Sequence, residues 1–361
     1  MKTNLTTAQN TPGESDVDLM MRFESLRQAW WPSISALIDE VTSVPSQQGS
    51  LLRRMVEYHL QSGGKRLRAI LPLLIAEALG CDPGRLVPFG AACEVLHNAS
   101  LIHDDLQDGD TTRRGRPAAW KKFGTAQAIN LGDAMIAYSV LLLCRLDVPA
   151  ERKERIISLT LTEMLRVIDG QVQDLELKDH GEAALADYLQ MIEGKTASLF
   201  ALPMAGAALL CDAPQEVERG LVEAACHIGM LFQIQDDIMD IYGEKGKELP
   251  GNDVREGKRS ILVVHCLEAA GADDAGWLRG VLDKRRDQTT VEDVAGAKDL
   301  FVRSGSLAFA LEELARRRKA ALQVPALAPY RTLVAVLGRA CDMFLQPVST
   351  VVNEYSLAQR H

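Results

Sequence analysis

The sequence is poor in aromatic residues, 5% of 361, while alanine and leucine are abundant and glycine and proline are thinly spread. That balance favours helices. It has no alternating β-branched run of useful length, since "VTSVPS" is short and broken by proline. It has no internal repeat of about 20–50 residues, which excludes a solenoid. Positive charge is not in excess: the net charge is −9, so a broad basic face for nucleic acid is excluded, although a local basic pocket is not. The cysteines Cys81, Cys93, Cys144, Cys211, Cys226, Cys266 and Cys341 form no CxxC pair and are odd in number. They read as small buried apolar residues of a protein in a reducing cytoplasm. The start, "MKTNLTTAQNTPGESDVDLM", lacks a positive end followed by an apolar run, so no signal peptide is expected. The longest apolar stretches, "AMIAYSVLLLC" (134–144) and "LFALPMAGAALLC" (199–211), fall short of the ~20 residues that cross a bilayer, so no transmembrane segment is expected.

What is present is a hydrophobic fraction of 47%, enough for one large core or two domains. Apolar residues recur at three- and four-residue spacing from Leu19 onward. Residues 1–18 are polar and are expected to be disordered. Residues 19–361 show no break in composition and read as a single all-helical domain. The first helix is expected to run through, or break at, Pro32. Helices follow at "SLLRRMVEYHL" and "AILPLLIAEALG", a longer one at "VPFGAACEVLHNASLIHDDLQD", and more at 126–146, 151–175, 184–211, 216–241, 260–270, 293–319 and 330–357. The stretch 242–260 reads as the longest loop.

Asp104, Asp105 and Asp108 stand at i, i+1 and i+4, and Asp236, Asp237 and Asp240 repeat that spacing. On a helix the i and i+4 members share one face, with the i+1 aspartate beside them, and each set follows an apolar segment, so each ends a buried face. One such cluster could be a solvated acidic patch. Two with the same spacing point instead to carboxylates that repel until a cation neutralises them. Hard oxygen donors suit Mg²⁺, which a few carboxylates and substrate phosphates hold together. Arg113 and Arg114 follow the first cluster, and guanidinium forks match phosphate oxygens. Lys65, Arg66 and Arg68 follow Gly63-Gly64, Lys195 stands in "EGKT", and Lys247 and Lys258 lie in the 242–260 loop. "EGKT" is no phosphate loop of the Walker type, because Leu189 occupies the position of the required glycine. His97 and His103 are not spaced as a zinc pair, and His97 could donate to a phosphate.

In chain order, "GGKRLR" (63–68), "LIHDDLQDGDTTRRG" (101–115), "GQVQDLE" (170–176), "GKTASLF" (194–200), "QIQDDIMD" (233–240) and "NDVREGK" (252–258) resemble the motifs of the trans-isoprenyl diphosphate synthases. This polyprenyl synthetase family includes farnesyl and geranylgeranyl diphosphate synthases, and the resemblance spans roughly residues 45–350. It implies an all-α isoprenoid synthase fold of long helices around a deep cavity, a homodimer, and head-to-tail condensation of isopentenyl diphosphate with an allylic diphosphate. Carried over by motif, Asp104, Asp105, Asp108, Asp236, Asp237 and Asp240 bind Mg²⁺, three ions per site, with Mn²⁺ a possible substitute. Lys65, Arg68, His97 and Arg114 hold isopentenyl diphosphate. Arg113, Lys195, Thr196, Gln233 and either Lys247 or Lys258 hold the allylic diphosphate. Asp104, Asp105, Asp108, Lys195, Asp236 and Asp237 carry the catalysis.

In the family, bulky residues four, five or eight positions before the first aspartate stop elongation. Here these are Ser100, Ala99 and Leu96, none aromatic, so a product of twenty carbons or more is expected. A class I terpene cyclase is a rival, but its N-D-x-x-S-x-x-x-E motif would need serine where Glu256 stands. A non-catalytic partner subunit is another, but such subunits typically lose aspartates that this chain keeps.

Overall fold

The computed structural model describes residues 19–43, 49–179, 183–243 and 250–358. The tail 1–18 and Lys247 therefore lie outside the described residues. The chain is almost wholly helical: α1 (Leu19–Thr42), α2 (Leu51–Leu60), α3 (Leu67–Ala78), α4 (Val87–Gln107), α5 (Ala119–Phe123), α6 (Thr125–Cys144), α7 (Ala150–Asp179), α8 (Leu185–Ile192), α9 (Ser198–Leu210) and α10 (Gln215–Tyr242). The second half adds α11 (Asn252–Arg255), α12 (Ile261–Ala269), α13 (Ala272–Leu282), α14 (Val291–Arg303), α15 (Ser306–Leu322), α16 (Arg331–Leu345) and α17 (Ser349–Ala358).

The most apolar segments sit at the centre. Ala69–Ala76 of α3 are buried without interruption, and nearly every residue of α9 is buried. Around them pack α4, α7 and α10, with α6 laid against α4 and α15 against α10. The clusters end up at the C-terminal ends of α4 and α10 because the apolar faces that precede them are held in this core. The helix α6 is long and apolar enough by composition to cross a bilayer. One face, with Leu131, Met135 and Leu142, is buried in the bundle, which accounts for much of that apolarity.

Several elements differ from the sequence reading, each for a local reason. The helix α1 passes through Pro32 unbroken; Ile34, Ile38 and Val41 beyond the proline are buried, and that packing outweighs the lost backbone bond. The predicted helix 293–319 is two, because Gly305 takes φ +77 and the chain restarts there. Helix α13 was not anticipated; Gly271, Gly276 and Gly280 mask a face on which Leu278, Val281 and Leu282 are buried. The loop after the first cluster contains a two-stranded ribbon, β1 (Thr112–Arg113) against β2 (Arg116–Pro117). Arg114 and Gly115, at φ +52 and +74, form its turn, and two positive φ values in succession suit the twist of a tight hairpin.

Phe89 of α4 is fully buried in this core. Phe89→Ala is expected to destabilise the fold by about 3–5 kcal/mol, read as a lower midpoint in chemical denaturation followed by far-UV circular dichroism.

Candidate active site

The site is built where α4, α7 and α10 end together. Lys195 lies at its centre, on a π-helical turn over Glu193–Ala197 that interrupts the predicted helix 184–211. Two glycines make that turn possible. A Cβ on Gly170 of α7 would lie 2.1 Å from the Lys195 nitrogen, and one on Gly194 would lie 2.9 Å from the Arg166 carbonyl oxygen. Without side chains at both, α7 and the turn close together, and the lysine is carried between the carboxylates.

Lys195 Nζ is 3.1 Å from Asp104 Oδ1 and 2.6 Å from Asp174 Oδ2. Burial pulls its pKa down, but Asp104, Asp174 and Asp108 together outweigh that and hold it above the usual lysine range. Lys258 Nζ is 3.4 Å from Asp108, 3.7 Å from Asp253 and 3.2 Å from Glu256. Its burial is likewise outweighed, led by Asp253 and Asp108. Asp240 Oδ2 accepts from the backbone N–H of Asp253 at 2.9 Å. A single lysine thus reaches from the first cluster to a residue tied to the second, so both clusters face one space.

The six aspartates are not equivalent. Asp104 and Asp108 point at the two lysines. Asp105 is 1% exposed and bonded to Arg113, whose Nε donates to its Oδ1 at 2.7 Å. Burial pushes Asp105 up to about 6 against that arginine. Asp237 accepts from Gln233 Nε2 at 2.9 Å, Tyr188 OH at 2.7 Å and the Ile261 N–H at 3.0 Å. Burial still raises it to about 6, with those three hydrogen bonds opposing. Asp236 is exposed. Gln233 Oε1 accepts from Thr196 Oγ1 at 2.8 Å, which joins two predicted diphosphate ligands to Asp237. Among the described residues no three acidic, histidine or cysteine side chains form a ready-made metal cage.

Below Lys195 opens a cavity of about 410 Å³. Its walls include Leu96, Ala99 and Ser100 of α4, with Val167 and Gln171 of α7 and Leu202 of α9. Arg68 and His97 line it as well. Both have a buried nitrogen without a partner, Nε of Arg68 and Nδ1 of His97. Burial, then Arg68 and Arg114, press the His97 pKa well below the ordinary histidine value, so the ring is neutral. The Arg68 guanidinium lies 4.4 Å over the Phe200 ring, and burial lowers its pKa to about 10. Arg114 donates to the Gly63 carbonyl, and its guanidinium fits there because Gly64 has no side chain. Lys65 is exposed beside that turn.

The polyprenyl synthetase family profile matches residues 49–352. The chain belongs to the polyprenyl synthetase family. It is 36% identical over 287 residues to the (2E,6E)-farnesyl diphosphate synthase of Mycobacterium tuberculosis, covering 73% of this chain and 77% of that one. It is 33% identical over 261 residues to the geranylgeranyl diphosphate synthase of Saccharolobus solfataricus, covering 71% and 77%. Its fold matches a polyprenyl synthase from Caulobacter crescentus, solved with calcium and isoprenyl diphosphate, at a TM-score of 0.77 and 26% identity, over 91% of this chain and 98% of that one. The all-α isoprenoid synthase fold and the trans-prenyltransferase class follow from this membership.

Beside the predicted residues of this polyprenyl synthetase stand others to which the sequence reading gave no role. Asp174 stands in the quoted "GQVQDLE" motif, which was the only available signal. Asp253 and Glu256 stand in the quoted "NDVREGK" motif, whereas Tyr188 approaches the site only through folding.

Two outcomes follow from this geometry. Gly170→Val places atoms in the Lys195 backbone and is expected to remove most turnover while the far-UV spectrum stays helical. The second concerns His59, which is buried; burial and then Arg114 lower its pKa from 6.5 to about 4. A depressed folded-state value means full stability above pH 6.5, lost as the unfolded chain alone takes up the proton on the way down to pH 4. Denaturation at pH 7 and pH 4 is expected to show His59→Gln losing roughly 3 kcal/mol less than the parent over that interval.

Proposed function

We propose that this trans-prenyltransferase joins its two diphosphate substrates across the space spanned by Lys195 and Lys258. The isopentenyl group is added head to tail to the allylic one, and the product tail descends into the cavity. The reading rests on one observation: Lys195 and Lys258 pair with Asp104 and Asp108 of α4 and line one pocket with Asp236 and Asp237 of α10, and Lys195 also lines the apolar cavity below. Its positive charges are placed to meet a diphosphate at the end of a hydrocarbon.

The donor set at the mouth is all carboxylate oxygen, which fits Mg²⁺ or another hard divalent ion that substrate phosphates help to hold. Asp104, Asp108, Asp236 and Asp237 would hold it, with three ions per site and Mn²⁺ as a substitute. Asp105 and Asp240 support the loops through Arg113 and the Asp253 N–H. Bound metal supplies positive charge to the leaving diphosphate.

The protein's own groups account for the rest. Lys195, Lys258 and Arg113 stabilise negative charge as the allylic C–O bond breaks and its electron pair leaves with the diphosphate. Thr196 and Gln233 orient that group. Arg68, Arg114, Lys65 and neutral His97 grip isopentenyl diphosphate, so its double bond lies beside the cation when the new C–C bond forms. The departing diphosphate takes the proton lost afterwards. Apolar walls exclude water, which would otherwise capture the cation. Because Leu96, Ala99 and Ser100 leave the upper cavity open, the product has twenty carbons or more.

The pairing expected for the family has a candidate surface. Ile129 and Leu141 of α6 and Leu161, Leu165, Ile168 and Val172 of α7 are exposed, Leu165 to 65%. Adjacent apolar faces of this kind suit a second copy. The seven unpaired cysteines agree with a cytoplasmic setting.

Purified protein incubated with Mg²⁺, labelled isopentenyl diphosphate and a panel of allylic primers should yield elongated diphosphates. Asp104→Ala and Asp237→Ala should each lose on the order of 10² or more in kcat; activity close to the parent in either would remove the cluster from the mechanism. Leu165→Glu should convert a dimer to a monomer in sedimentation velocity.

A further inference from the structure

Cys81 and Cys211 are 130 residues apart in the chain and meet where α3 and α9 end. Gly80 takes φ +79 after α3, and Asp212 takes φ +56 after α9. Each end is closed by a backbone hydrogen bond, Cys81 N–H to the Ala76 carbonyl at 2.8 Å and Ala213 N–H to the Ala208 carbonyl at 3.0 Å. These caps set the two cysteines side by side. Cys81 Sγ lies 3.7 Å from the Cys211 carbonyl oxygen, and the two thiols hydrogen-bond one another. Both are partly exposed, so a small solute can reach them. Neither lines the cavity below Lys195, and prenyl transfer makes no use of them.

Their surroundings favour sulfur chemistry. The hydrogen bond with Cys211 lowers the Cys81 pKa to about 7; Arg85 assists, while burial and Asp212 oppose. Asp212 pairs with Arg152, which offsets much of the negative charge beside the sulfur. Roughly half of Cys81 is therefore thiolate at pH 7, and the thiolate is the nucleophile. Cys211 keeps its proton, because the same hydrogen bond and burial raise its pKa. Burial also raises Cys93, Cys226, Cys266 and Cys341, which stay thiols.

We propose that Cys81 and Cys211 are a redox modification site, which hydrogen peroxide converts to a reversible disulfide that ties α3 to α9. The Cys81 thiolate attacks one peroxide oxygen, the O–O bond breaks, and the released hydroxide takes a proton from solvent. Cys81 is then a sulfenic acid. Cys211 Sγ attacks the Cys81 sulfur, the S–O bond breaks, and the departing hydroxide leaves as water with the Cys211 proton. Two thiols are oxidised and one peroxide is reduced to two waters. A dithiol restores both cysteines by exchange.

The bond has a defined place in the fold. Arg68 near the start of α3 and Ser198 at the start of α9 both line the cavity, whereas the cysteines meet at the far ends of the same helices. A disulfide there leaves the diphosphate mouth untouched. It also closes a loop of more than about a hundred residues, which restricts the unfolded chain. It therefore stabilises the fold without entering the site.

The experiment treats the full chain with hydrogen peroxide, then alkylates it under denaturing conditions and maps its peptides by mass spectrometry. Cys144 is exposed, so the Cys144→Ser background is used to prevent disulfides between copies. Expected is one linked peptide pair joining Cys81 to Cys211, lost on treatment with a dithiol and formed about fivefold more slowly at pH 6 than at pH 7. Cys211→Ser should leave Cys81 as a sulfenic acid that a 1,3-diketone traps. The linked protein should melt a few degrees above the reduced one, a difference absent from Cys81→Ser. Cys81 and Cys211 both still free, Cys81 oxidised to sulfinic acid beside a free Cys211, or a bond to another cysteine overturns the proposal. A linked pair that melts no higher than the reduced chain overturns the stabilising role. None of these measurements needs turnover, so they stand or fall apart from the prenyltransferase reading.

Discussion

The structure depends on one electrostatic arrangement: carboxylates from α4, α7 and α10, most of them poorly hydrated, gathered with Lys195 and Lys258 between them. Neither half is stable alone. Unneutralised, the aspartates would repel across a few ångströms. Unpaired, the two ammonium groups would be forced to lose their protons by burial. Their pKa values are instead raised by Asp104, Asp174 and Asp253. The mouth is therefore a matched set of opposite charges with little water, a setting in which an incoming diphosphate and its cations can exchange partners at modest cost.

That set is held by elements that look unrelated in the chain. The π-helical turn is imposed by Gly170 and Gly194, and without it Lys195 would follow the regular helix. The two-stranded ribbon turns Arg113 back to Asp105. The short helix α11 follows Gly251 at φ +83 and brings Asp253 to Asp240 and Lys258 to Asp108. Each device is local and costs some regularity. The apolar packing of α3, α4, α9 and α10 supplies the rigidity that offsets it.

Much of this was legible in the sequence for a physical reason: an i, i+1, i+4 carboxylate set has one geometry on a helix, and an apolar approach fixes which way that helix faces. Asp104 and Asp237 could be found from spacing alone. What could not be found depends on contacts between distant segments. Nothing near Tyr188 in the chain announces that its hydroxyl serves Asp237. The unequal fates of Asp105 and Asp104 also require the ribbon, which four residues cannot signal. Helix α13 was hidden because glycine lowers helix propensity wherever it stands, while burial of Leu278, Val281 and Leu282 decides the outcome. The motif order carried the family, and packing carried the roles.

A site of this kind works against the stability of its own empty state. Burial raises Asp105 and Asp237 to about 6, so near neutral pH both are ionised at a cost that the fold must bear. A raised folded-state value means that this cost is absent below the unfolded value and grows as pH rises through about 6. Anything that satisfies those carboxylates only in the folded chain returns that free energy through mass action. The same groups that strain the empty mouth thus reward its occupation, and affinity for the charged head is coupled to the integrity of the helices that present it. The tail makes the opposite demand, hydrocarbon against hydrocarbon, and the fold separates the two by length along α4 and α7.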